Sequence, residues 1–408
     1  MTRKQLAIVV LLALCSTGAD WLQFRGTDQR SRSDDAKLPP TEWSVGKADV
    51  PAKNVAWSVE VPARGVGGPI VIGDRVIVTG ASGANQERLH VYCFSAASGK
   101  PLWERQFWAT GRTFCHPTSS VAAPTPASDG KRIYAFFSSN DLICLGLDGE
   151  MLWYRGITLE HPMAANDVGM ASSPLVVGDT VVVQVESRGE SFAAGFDAAT
   201  GEDRWSVPRP TDMNWCSPTA LRGNGQEPLV LLQSPQKLTA HHAKSGEIVW
   251  TFDSKSGGIS SPTTVGDMIY MPGDANLIAL RSSPGSANWE NVWQESQLAA
   301  GNASPIIHGK NVFVVNKAGA MTCGDVETGK VLWRQRLKGR FWATPIAVGD
   351  LLFCVNSDGV AQVVKSGADA GEIVSEIDFG ESIYGSPALA DGALYFRGDK
   401  HLWKIAQP

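Results

Sequence analysis

The chain lacks the residue pairings that carry most enzyme chemistry. It has seven cysteines and seven histidines in 408 residues, yet no Cys-x-x-Cys pair, no adjacent cysteines and no His-Glu-x-x-His. Zinc centres of the usual kinds need such spacings, because their ligands must converge on one ion. A Walker loop, a Gly-x-Ser-x-Gly nucleophile elbow and an EF-hand loop are also missing. Basic residues are outnumbered by acids, 36 to 41, for a formal net charge of −5. With no basic cluster, nucleic acid and anionic lipid are excluded as main partners. Beyond residue 19 no apolar run is long enough to cross a bilayer, so an integral membrane protein is not expected.

What the chain does have is glycine, proline and tryptophan in register. Gly329 stands four residues before Trp333 in Glu327-Thr-Gly-Lys-Val-Leu-Trp333, and the spacing recurs at Gly99/Trp103, Gly149/Trp153, Gly201/Trp205 and Gly246/Trp250. A hairpin turn needs a residue that accepts φ > 0, which glycine does without steric cost. The tryptophan then lies on the strand leaving the turn, where it can fill the gap between neighbouring sheets. A second phrase precedes each copy: Pro174-Leu-Val-Val-Gly178-Asp179-Thr-Val-Val-Val reads as strand, tight turn, strand. Its proline anchors lie at 69, 126, 174, 218, 262, 305, 345 and 387.

A period of roughly 40–50 residues with four short strands is that of a β-propeller blade. Such sheets bury both faces only by stacking on neighbours and closing a ring. The eighth unit ends near Leu402-Trp-Lys-Ile405, before a fourth strand, and a spare one, Asn54-Val-Ala-Trp57-Ser-Val-Glu-Val61, lies at the other end. The expected fold is an all-β, eight-bladed propeller over residues 54–408, its last blade completed by that N-terminal strand. Two repeats depart from the pattern. The seventh has Ser375 where tryptophan is due, and the fifth has a longer turn, Pro284-Gly285-Ser286, with Trp293 as counterpart.

Residues 1–19 have the layout of a signal peptide, with Arg3 and Lys4 ahead of the apolar Leu6–Leu14. Cys15 follows Leu14 rather than the small residue of a lipoprotein site, so cleavage after Ala19 is expected. An exported chain in the periplasm or cell envelope follows. Residues 20–53 form an arm, and terminal aromatics usually tie a terminus down, so Trp21 and Phe24 are expected against the propeller's side. Cys93, Cys144 and Cys323 share a column with Gly195 and Ala240, a small-residue slot in the third strand. Cys354 reads as core, whereas the pairing of Cys115 and Cys216 stays open. His241 and His242 fall in one strand, so their rings point apart and cannot readily share a metal.

Loops from the outer strand of one blade to the inner strand of the next open on one end of a propeller, around its channel. The longest connections follow Trp103 and Trp153, and loops longer than a repeat needs are often functional. Residues just ahead of each proline should rim that mouth: His116, Asn166, Asp167, Met170, Trp215, Asn302, Arg340, Trp342 and Tyr384. Two tryptophans, a tyrosine and convergent polar groups suit a small ligand or a peptide.

The Ser-Pro…Gly-Asp…Gly-x-x-x-Trp repeats resemble the pyrroloquinoline quinone (PQQ)-like repeat propellers. The opening Trp21-Leu-Gln-Phe-Arg-Gly26 and Leu38-Pro-Pro-Thr-Glu-Trp43 resemble the exported bacterial branch similar to the propeller lipoprotein of the outer-membrane β-barrel assembly machinery, a non-catalytic scaffold. That likeness implies a binding scaffold for an envelope protein or small ligand, working as a monomer. The family's catalytic branch implies PQQ with Ca²⁺, under a vicinal disulfide that this chain lacks. Trp215 or Trp342 would have to imitate its stacking floor, and Asp167 with Asn166 or Asn302 its Ca²⁺ shell. No motif pins them, and none is assigned a catalytic role. The alternatives are a PQQ-dependent dehydrogenase with a reduced site and a carbohydrate-binding propeller, since aromatic rims suit sugar faces.

Overall fold

The structure, a computed structural model, describes residues 20–33, 37–46, 50–164, 167–223, 226–283 and 285–407. The expected signal peptide lies outside the described residues. Each proline anchor is followed at once by a short strand: Ile70–Ile72, Ala127–Ser128, Leu175–Val177, Thr219–Leu221, Thr263–Val265, Ile306–His308, Ile346–Val348 and Ala388–Ala390. Proline has a fixed φ and no N–H to offer a ladder, which suits the residue ahead of an edge strand. In the first blade Arg75–Ser82, Arg88–Ser95 and Pro101–Trp108 complete a four-stranded antiparallel sheet, and the pattern repeats around an eight-bladed ring. We letter the strands A to D from the axis outward. The A strands are buried and pack on one another from blade to blade, whereas D strands such as Val331–Arg336 alternate exposed and covered residues.

The tryptophans hold blades together rather than capping their own turns. The Trp57 indole lies where a Cβ on Gly99, in the next blade, would sit 2.7 Å from it, and the Trp57 Nε1–H donates to Ala96 O at 3.1 Å. Trp103 is placed alike on Gly149 and Trp153 on Gly201, with indole N–H bonds to Leu147 and Ala198 carbonyls. Each glycine therefore serves twice, as a positive-φ turn residue (70° at Gly99) and as a bare platform for an indole. The small-residue column is explained by the ladder. Cys93, Cys144, Gly195, Ala240 and Cys323 stand directly opposite Trp103, Trp153, Trp205, Trp250 and Trp333.

Ring closure is as the sequence implies. Val55–Glu60 pairs antiparallel with His401–Ile405, placing Trp57 opposite Lys404 and completing the eighth blade from both chain ends. This closure accounts for the seventh repeat. Strands C and D of the eighth blade come from opposite ends of the chain, so no glycine turn joins them for a seventh-blade indole to cover. Ser375 stands at that position, its hydroxyl donating to Thr41 O, and Trp43 from the arm fills the seam against Phe379 and Phe396. In the fifth repeat Trp293 acts as counterpart, donating to Val326 O at 3.1 Å.

The arm departs from expectation. Trp21 and Phe24 do not pack on the propeller's side; the arm runs through the central channel. Asp20 accepts from Gly73 N–H at an A–B turn, and Trp21 exchanges backbone hydrogen bonds with Val71. Gln23 Oε1 accepts from Val176 N–H, Arg25 donates to Pro262 O and Thr263 Oγ1, and Gln29 bonds both Pro218 O and Ala220 N–H. Arg32–Ser33 then adds a parallel strand to the inner edge of the seventh blade. The physical reason is the channel itself, where inner A strands present unpaired backbone groups that an extended segment can satisfy.

Candidate functional site

The mouth is built on a belt of hydroxyls. The residues before the eight prolines are Gly68, Thr125, Ser173, Ser217, Ser261, Ser304, Thr344 and Ser386. From Gly68 onward, each backbone N–H donates to the hydroxyl of the next blade, at 2.9–3.1 Å through seven successive bonds. The belt breaks between the eighth and first blades, where a Cβ on Gly68 would meet Ser386 O at 2.3 Å. Backbones there approach too closely for a side chain.

Above the belt lies a cavity of about 400 Å³ on the axis. Its floor is Phe24, carried in by the arm, and Trp215, Trp342 and Tyr384 wall it. Beneath the floor the Arg25 guanidinium lies 5.3 Å from the Phe24 ring centroid. Arg25 is 1% exposed, and its burial lowers its pKa to about 9, which leaves it cationic at neutral pH. Trp215 is oriented by its indole N–H, which donates to Gly169 O at 2.7 Å, whereas Trp342 is 45% exposed. Arg64, paired with Asp399 at 3.0 Å, donates to the carbonyls of Pro117, Thr118 and Ser119 and so clamps the loop that carries His116. His116 Nδ1 lies 2.8 Å from Thr118 Oγ1.

His116, Trp215, Asn302, Trp342 and Tyr384 thus come together on one cavity. Others of the expected rim do not join them. Met170 is 2% exposed in the core between the second and third blades, with its N–H on Ser138 Oγ. Asp167 accepts from Arg188 N–H at 2.8 Å, and Arg340 is exposed away from the lining. Asn166 lies outside the described residues. The expected rim left out two contributors, the belt and Phe24, the latter expected on the propeller's side. The first had a signal, Ser or Thr before nearly every anchor proline; the second had none beyond being an aromatic in the arm.

The cavity does not fit a Ca²⁺-held quinone. Ca²⁺ takes six to eight oxygen ligands, carboxylates prominent among them, and among the described residues no aspartate or glutamate lines the cavity. The floor is a phenyl ring from the chain itself, and Asp167 is bonded elsewhere. Among the described residues no group of three or more His, Cys, Asp or Glu could hold a metal ion, and all six described cysteines, Cys115 and Cys216 included, are free thiols. His241 is buried, bonded to Gly246 O and Thr239 Oγ1, while His242 is half-exposed, so the rings do point apart. Ser82 Oγ, His90 and Glu104 form a chain of 2.7 Å contacts on the first blade. His90 is 6% exposed and stacks on Tyr92, and the three side chains tie strands B, C and D together.

Known proteins bear on this geometry. A family model described as outer membrane protein assembly factor BamB matches residues 46–214, 190–321 and 291–364. The chain is 24% identical over 384 residues to the outer membrane protein assembly factor BamB of Burkholderia pseudomallei, covering 89% of this chain and 90% of that protein. It is 26% identical over 392 residues to a polyvinylalcohol dehydrogenase of a Pseudomonas species, covering 84% of this chain and 56% of that longer protein. Among solved structures, BamB from Moraxella catarrhalis superposes with a TM-score of 0.65 at 17% identity, over 86% of this chain and 97% of that one. A ring of PQQ-like repeats, closed by its N-terminal strand and matched by that family model over most of its length, places the chain in the family described as outer membrane protein assembly factor BamB.

Proposed function

We propose that the chain is an exported, non-catalytic binding scaffold of the periplasm or cell envelope, presenting its D-to-A face to a protein or small ligand. The observation that carries this reading is the axial cavity: aromatic walls, a floor supplied by the chain itself and, among the described residues, no carboxylate to act on a substrate. A protein partner is favoured by the loops around it, which expose Phe114 (57%), Leu159 (80%) and Met163 (69%) in the two longest connections. The likeness to assembly factors over nearly their full length supports the same role, and rigid display would be its mechanism.

Photo-crosslinking in cells tests it. A benzophenone side chain at Phe114 should give a discrete adduct with one envelope protein. The same group at Leu102, similarly exposed on an outer strand, should give none. Replacing Trp215, Trp342 and Tyr384 with alanine should remove the adduct while the melting temperature shifts by only a few degrees. Identical adducts from both positions would sink the reading. Calorimetric titration with PQQ should show no Ca²⁺-dependent heat; micromolar, Ca²⁺-dependent binding would restore the dehydrogenase.

A further inference from the structure

From the hydrogen bonding of the belt we infer that the mouth cavity takes a small organic carboxylate with a flat apolar body. The inference rests on the reading that this mouth is a binding face. Each of the seven belt hydroxyls accepts an N–H from the preceding blade. A hydroxyl that accepts has one proton left to give. Among the described residues none of the seven donates that proton to a protein group, although all are buried to nine-tenths or more. Six of them, Thr125, Ser173, Ser217, Ser261, Ser304 and Ser386, line the cavity. Buried donors without an acceptor are costly, so this ring is matched to a ligand, or to water, that supplies oxygen lone pairs.

The charge balance selects an anion among such ligands. Among the described residues no acidic side chain lines the cavity. Arg25 stands directly under its floor, and Asp28 acts on it only through space, its ion pairs being with Arg30 and Arg32. The Arg25 Nε–H has no partner. A buried guanidinium with no ion pair among the described residues projects its field along the low-dielectric axis into the cavity. The phenyl ring of Phe24 separates the two, so Arg25 acts through space and the hydroxyls make the contacts. Trp215 and Trp342 offer flat faces to an apolar body, and the volume of about 400 Å³ limits it to one or two rings.

Phenylacetate and its neutral isostere phenylacetamide are the probes, titrated into the full mature chain at low salt and followed by tryptophan fluorescence. Phenylacetate should bind at least tenfold more tightly than the amide, and the preference should shrink as salt is raised. Ser217→Ala with Ser261→Ala should abolish the preference, whereas Trp342→Ala should weaken both probes alike. Should the double variant fail to fold, the salt series on the unaltered chain decides. Equal binding of acid and amide would overturn the carboxylate and leave the mouth an apolar site. No binding of either probe, with the Phe114 crosslink intact, would overturn this inference and spare the scaffold. Loss of both would overturn the two together.

Discussion

Arg209 crosses from the third blade into the fourth, and its Nε–H donates to Glu186 Oε1 at 2.7 Å, both side chains being almost wholly buried. Its remaining N–H groups reach Thr239 Oγ1, Ser234 Oγ and Leu232 O. Removing one partner of such a pair strands the other charge without water. Arg209→Ala is therefore expected to cost about 3–5 kcal/mol. Lys338→Ala, which breaks an exposed pair with Glu376, should cost less than about 1 kcal/mol. Urea denaturation of both variants checks the contrast, and equal midpoints would refute it. His241 makes a pH-dependent contribution. Burial lowers its pKa from 6.5 to about 4, so the folded state keeps it neutral where the unfolded chain takes up a proton. The unfolded state binds more protons between those values, and stability must fall as pH drops from about 6.5 to 4. The loss is on the order of 3 kcal/mol. His241→Gln should flatten that part of the stability profile, and an unchanged slope would exclude His241 as its source.

At the level of the strand, closure concentrates in Val55–Glu60. Trp57 is 8% exposed, packs on Gly99 and donates to Ala96 O, so it joins the eighth blade to the first as well as completing the eighth. Trp57→Ala should cost about 3–5 kcal/mol and lower the midpoint of the whole transition. Fraying of the eighth blade alone, seen as hydrogen exchange confined to His401–Ile405, would contradict a clasp. Gly68→Ala probes the same seam from the axis. Its new Cβ would press on Ser386 O, with an expected cost of about 1–3 kcal/mol. These elements are legible in the sequence because proline, glycine and tryptophan act through short-range geometry at fixed spacing. The missing tryptophan at Ser375 is legible only as an irregularity. Its cause, a blade with no C–D hairpin, lies in the pairing of two chain ends. The arm's course is not legible at all. Its contacts are scattered polar bonds to N–H and C=O groups of six blades, and such bonds leave no period in the chain.

The whole molecule is a ring whose channel its own N-terminal segment fills, and the site inherits that arrangement. The aromatic half of the mouth can be read from the residues before each proline. The floor cannot, because Phe24 lies more than 100 residues from most of what it faces. Two structural duties are therefore separable. The strand Val55–Glu60 closes the circle; the segment ahead of it seals the axis, with Trp21 and Trp43 in the core and Arg25 and Gln29 bonded across blades. Deleting residues 20–46 while keeping the closing strand should leave a ring that still unfolds in one cooperative step. The loss of two buried indoles and the bonds around Arg25 should cost more than about 5 kcal/mol. The deletion also removes the floor of the cavity, so phenylacetate binding should vanish even where the ring stays folded. Scanning calorimetry and the fluorescence titration report the two effects independently. An unaltered midpoint would mean that the arm merely occupies the channel, and retained binding would mean that Phe24 and Arg25 have no part in the site.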